Sequence, residues 1–118
     1  MPETECAREG IPLLHGFLQP HPGGEVLRVW CRWCCIWHIH NTAGEAAGAL
    51  TEHEARCYAP DSPYRVYRVR VSAVSFVQVE VGVVVASMAQ RWAISQGEVT
   101  LAVRRLRDQV VPVPNPIP

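Results

Sequence analysis

The chain has 118 residues, 48% of them apolar, with ten prolines, eight glycines, and eleven basic side chains against eleven acidic ones. That length accommodates one ordinary domain, or two very small modules that each need a metal or a partner. The proline and glycine content excludes long uninterrupted helices and a large catalytic fold. Every basic residue is arginine, and seven carboxylates against four arginines up to Cys57 become four against seven from Tyr58 onward, a balance that fits an acidic arm joined to an anion-facing half.

Residues 1–24, broken by Pro12, Pro20, Pro22 and the pair Gly23-Gly24, read as a mostly irregular leader. Its acidic start, Met1-Pro2-Glu3-Thr4-Glu5, lacks the basic opening and apolar run of a secretory signal, so a cytoplasmic protein is expected. From Glu25 the apolar positions alternate with period two, and they alternate again over residues 35–40. These two runs predict a β-hairpin that turns at Cys31-Arg32-Trp33-Cys34.

A loop of small residues over 41–49 leads into residues 50–57, which are good helix formers with Thr51 as an N-cap; a short helix is expected, ended by Pro60-Asp61-Ser62-Pro63. The valine- and tyrosine-rich stretch 64–81 predicts one or two strands, with Tyr67, Val69 and Val71 on one face and Arg68 and Arg70 on the other. The most apolar stretch, 69–89, is interrupted by Gln78, Glu80 and three serines, so it reads as strand and buried segment and not as a membrane span. Residues 84–110 look helical, and the proline-rich tail 111–118 is expected to be extended and mobile. The fold class expected is α+β: a leader to residue 24, a zinc-bound hairpin and short helix over 25–60, strands and a helical pair over 61–110, then the tail.

Five cysteines, three of them at Cys31, Cys34 and Cys35, suit metal binding in a reducing compartment better than a disulfide framework. Cys31-x2-Cys34 at a hairpin tip and His53-x3-Cys57 on one face of a helix make two ligand pairs that can close a tetrahedron around a zinc ion (Zn2+). Such a closed site is structural, because no position is left for water or substrate, and the binding energy substitutes for a missing core. The alternative is that Cys31 and Cys34 are buried thiols and His53 a surface residue. His38 and His40, two apart on a strand face, are possible substitutes for His53 or possible members of a second, open site.

The pattern made by Cys31, Trp33, Cys34, Trp37, His38, His40, His53, Cys57 and Ser62-Pro63-Tyr64 resembles a group of small uncharacterised actinobacterial zinc-finger-like proteins. The resemblance covers about a third of the chain and implies a metal-binding module without an activity. The pair His38 and His40 followed by Asn41 also resembles metal nucleases of the His-Asn-His type, in which one histidine is a general base.

Toward the C-terminus, Met88, Ala89 and Trp92 make one short helix face. Ser95, with Glu98 three residues on, is placed to cap a second helix whose stripe is Val99, Ala102, Val103 and Leu106. This segment resembles the helix-turn-helix of GntR-type winged-helix regulators. The resemblance implies that Ser95 touches phosphate, that Gln96, Thr100 and Arg104 face the major groove, and that Arg105 and Arg107 lie along the backbone. The function expected is a zinc-stabilised DNA-binding regulator or accessory protein, not an enzyme and without a membrane, with a protein partner or a second copy of the chain (a homodimer) as further candidates; the alternative is a zinc-dependent adaptor that meets a protein partner through Trp30, Trp33 and Trp37.

Overall fold

The computed structural model describes residues 10–114. Five strands, β1 (Leu13–His21), β2 (Gly24–Cys31), β3 (Ile36–Asn41), β4 (Leu50–Glu54) and β5 (Val66–Val71), form one sheet in the order β3-β2-β1-β5-β4. The β1–β5 pair is parallel and the other pairs are antiparallel. Three short helices follow: α1 (Phe76–Val79) with a 3-10 turn at Glu80–Gly82, then α2 (Met88–Ser95) and α3 (Leu101–Arg107). The class is therefore α+β. Among the described residues no helix is long and apolar enough to cross a membrane.

The stretch expected as an irregular leader carries β1, the middle strand of the sheet. Pro20 is tolerated because it sits near the end of β1, beside the tight Pro22-Gly23 turn into β2. The predicted hairpin forms: β2 and β3 pair with Cys31 opposite Ile36 and Val29 opposite His38. The predicted helix over 50–57 does not form. Its first residues are β4, paired to β5 with His53 opposite Tyr67, and Thr51 is a strand residue instead of a cap. Backbone pairing with β5 overrides a weak local helix preference, as tertiary context commonly does.

Alternation gives the sheet two working faces. Leu27, Val29, Tyr67, Val69 and Val71 point to one side and form a buried cluster. Phe17 and Trp37 point to the other, where Phe76, Val79 and Val83 cover them. Trp37 lies edge-on to both Phe17 and Phe76, with centroids 6.0 and 5.0 Å apart, a favourable aromatic geometry. Gly16 lets the inner face close, because a Cβ there would stand 2.5 Å from Val69 Cγ1 and 2.8 Å from Leu27 Cδ1.

The helical pair packs on the hairpin tip. Cys31, Cys34, Cys35, Ala59, Ala86, Ile94, Val103 and Leu106 make one core cluster. The Ala86 amide donates to the Cys35 carbonyl at 2.9 Å. Arg107 is buried, makes a two-pronged ion pair with Asp61 at 2.6 and 2.9 Å, and donates from Nε to the Trp33 carbonyl at 3.1 Å. The tail from 111 to 114 has no regular structure, and the rest of the tail and the acidic start lie outside the described residues.

Candidate metal centre

The turn after β2 builds the first half of the site. Cys35 adopts φ +57° and its amide donates to the Cys31 carbonyl at 2.8 Å, while the Cys34 amide approaches Cys31 Sγ at 3.5 Å. A left-handed residue reverses the chain within one turn, so the sulfurs of Cys31 and Cys34 face the same point. His38 joins them from β3. It is opposite Val29, two residues from Cys31, so it shares the inner face of the hairpin with both.

Cys57 arrives from the segment after β4, where Arg56 at φ +54° turns the chain inward. The ligand atoms of Cys31, Cys34, His38 and Cys57 all lie within 4.8 Å of one another. Cys57 Sγ stands 3.6 Å from Cys31 Sγ and 3.6 Å from His38 Nε2. Edges of a tetrahedron with metal–sulfur bonds near 2.3 Å are about 3.8 Å long, so these four groups are close enough to hold one ion, and the three-sulfur, one-nitrogen set is compatible with zinc.

His53 does not belong to the group. On a helix, residues four apart share a face, but on a strand they are about 13 Å apart, so the switch from helix to β4 separates His53 from Cys57. His53 Nε2 instead pairs with Thr51 Oγ1 at 2.8 Å. The other proposed substitute, His40, also points inward, but its Nε2 pairs with the Tyr67 hydroxyl and its ring stacks on His53. The alternation of β3 was the signal for His38: it places His38 on the face of Cys31, across a hairpin whose register the turn fixes.

Cys31, His38 and Cys57 shift one another through their mutual contacts. Hydrogen bonds from Cys31 and Cys34 hold the Cys57 thiol well below its usual range, and the same shared hydrogen bonding with Cys34 and Cys57 pushes Cys31 far up. One thiolate is thus stabilised by its neighbours and a second is opposed. Burial alone lowers His38, but its hydrogen bonds and charge interactions with Cys34 and Cys57 outweigh that and raise it to about 9. Cys35 is fully buried beside the group, and its thiol donates to the Arg32 carbonyl at 3.4 Å. Outside the four, the Tyr58 hydroxyl donates to the Cys34 carbonyl and orients the turn.

The residues expected to read DNA are distributed differently. Helices α2 and α3 are joined by a tight turn in which Gly97 takes φ +83°. The capping differs from the prediction: Ser87 caps α2 with Gln90 in a reciprocal box, Thr100 Oγ1 caps α3 by accepting from the Val103 amide at 3.2 Å, and Ser95 ends α2 with its hydroxyl donating to the Trp92 carbonyl. Of the predicted stripe, Val103 and Leu106 are buried while Val99 and Ala102 are exposed. Gln96, Arg104 and Arg105 are exposed. Arg107, expected along the DNA backbone, is buried against Asp61 and the Trp33 carbonyl. The tryptophans proposed as a docking cluster are packed as well: Trp37 is buried, and Trp30 lies edge-on to it at 5.4 Å.

No protein-family model, curated protein or solved structure matches the chain.

Proposed function

We propose that this chain is a zinc-stabilised binding protein and not an enzyme, with the ion held by Cys31, Cys34, His38 and Cys57 and the helical pair serving as its recognition surface. The observation that carries the reading is the closure of the four-ligand set. Three thiols and an imidazole leave no position for water or substrate, which is the signature of a structural ion. The same cysteines share a core with Ile94, Val103 and Leu106, so the ion supports the helices directly. Exposed Met88 and Trp92 on α2 favour a protein as the partner.

A DNA-binding reading is favoured by one observation: Arg104 and Arg105 are exposed on the second of two helices joined by a tight turn. It is weakened by the loss of Thr100 to capping and of Arg107 to Asp61. Metal content per chain after purification without chelator tests the first claim. One zinc is expected in wild type and in His53→Ala, and none in His38→Ala or Cys57→Ser; a wild-type chain with no metal sinks it. Salt-dependent duplex binding lost in Arg104→Ala would move the partner from protein to DNA.

A further inference from the structure

Beside the metal centre lies a groove of about 420 Å3 lined by Ile36, Tyr58, Met88, Arg91, Trp92 and Ser95. Met88 and Trp92 are 75% and 69% exposed, and at i and i+4 they share one face of α2. Two large apolar side chains held open to solvent on a short helix are costly unless something covers them. The wall opposite is fixed: Ile36 begins β3 directly after the metal-binding turn, and Tyr58 follows Cys57 and is anchored on the Cys34 carbonyl.

Arg91 stands among these groups. Its Nε donates to the Ala86 carbonyl at 3.0 Å, which fixes the guanidinium at the base of α2. No carboxylate lines the groove, and among the described residues no acidic side chain pairs with Arg91. An anchored cation without a counter-charge, bordered by indole and thioether, is complementary to a carboxylate carried next to a large apolar side chain. Phosphate backbone alone fits less well, since it would leave Met88 and Trp92 uncovered.

We infer that this groove binds an acidic amphipathic peptide segment of a protein partner, with a large apolar side chain seated on Tyr58, Met88 and Trp92 and an adjacent carboxylate paired to Arg91. The inference deepens the reading of the chain as a zinc-stabilised binding protein and names the chemistry of its partner. Aromatic, methionine and arginine side chains are the residue types that concentrate interface energy, and the ordered wall keeps the cost of adaptation small.

The test is selection of short random peptides on the full zinc-loaded chain, with counter-selection on the Trp92→Ala chain, followed by affinity measurements on the enriched sequences. Enriched peptides should share an aspartate or glutamate next to a leucine, phenylalanine or tryptophan. Their affinity should fall by about tenfold or more in Trp92→Ala. In Arg91→Glu, peptides with lysine in place of the acid should regain binding. No enrichment over Trp92→Ala, no preference for acid, or no charge-swap recovery overturns the inference, as does finding that Arg91→Glu abolishes salt-sensitive duplex binding while no peptide is selected. Zinc content is measured on every chain: metal-free wild type that still selects peptides would sink the zinc reading and leave the groove standing, whereas metal-loaded wild type that selects none would do the reverse.

Discussion

The ring of His40 lies on the ring of His53, with centroids 4.4 Å apart and planes inclined by 23°, although the two residues belong to the opposite edge strands of the sheet. The sheet is therefore curled until its first and last strands meet through side chains on its inner face. Tyr67, from the strand next to β4, completes the contact by hydrogen bonding to His40.

This contact makes folding sensitive to acid. Burial first, then the charges of His53 and His38, push His40 down to about 4, and burial lowers His53. Between the ordinary histidine value near 6.5 and the folded value, the unfolded chain binds more protons than the folded one. The contribution is therefore complete above about pH 6.5 and is lost as the pH falls toward 4. The stability difference between wild type and His53→Phe should be level above pH 6.5 and shrink below it, and proton resonances of His40 should titrate near pH 4. A difference that stays level through the whole range would show that the stack does not carry the effect.

Removal of the ion with a strong chelator at neutral pH should unfold the hairpin tip and the helices together. Structural zinc supplies on the order of 10 kcal/mol in small modules, comparable to the whole net stability typical of a folded domain. Tryptophan fluorescence and near-ultraviolet circular dichroism should change in one step with metal release and recover on adding zinc. Release with no spectral change would separate the ion from the fold.

Arg107→Ala should cost about 2 kcal/mol, because it removes the pair to Asp61 and the hydrogen bond to the Trp33 carbonyl. The cost stays below that of a fully buried pair, since the Asp61 side chain is 42% exposed and regains water. Arg107→Lys should recover only part of the loss, as lysine cannot make the two-pronged contact. Denaturant unfolding of both variants checks this, and an unchanged midpoint would mean the pair is idle.

Gly16→Ala should destabilise by about 2 kcal/mol, because the new Cβ meets the branched side chains of Val69 and Leu27 inside the sheet. Pairing the substitution with Val69→Ala should recover part of the stability by making room. Equal costs in the single and double variants would locate the strain elsewhere.

How much of this was legible in the sequence depends on whether a signal was local. The hairpin was, because two alternating runs flank a cysteine turn and neighbouring strands register through that turn. So was the inner face of β5, where Tyr67, Val69 and Val71 alternate with arginines. The state of residues 50–57 was not, because their composition favours a helix and only the partner strand β5, more than ten residues away, holds them extended. Cys31, Cys34 and Cys57 followed from spacing as members of the candidate cluster, whereas choosing His38 over His53 required knowing that β4 is a strand. The strand β1 escaped for a related reason: its prolines and glycines read as loop, and its pairing with β5 is parallel and distant. The cap of α3 at Thr100 lay five residues beyond the serine that the motif suggested.

The shared core of the cysteine turn and the helical pair has a thermodynamic consequence. Whatever grips α2 and α3 in their folded arrangement favours the state in which Cys31 and Cys34 are in place, and binding free energies are reciprocal. A partner that binds the metal-loaded chain more tightly than the metal-free chain must raise the chain's affinity for metal by the same factor. On the proposed reading, occupancy of the helical face and binding of a metal ion are then coupled, and a chain without its partner would hold its metal less tightly.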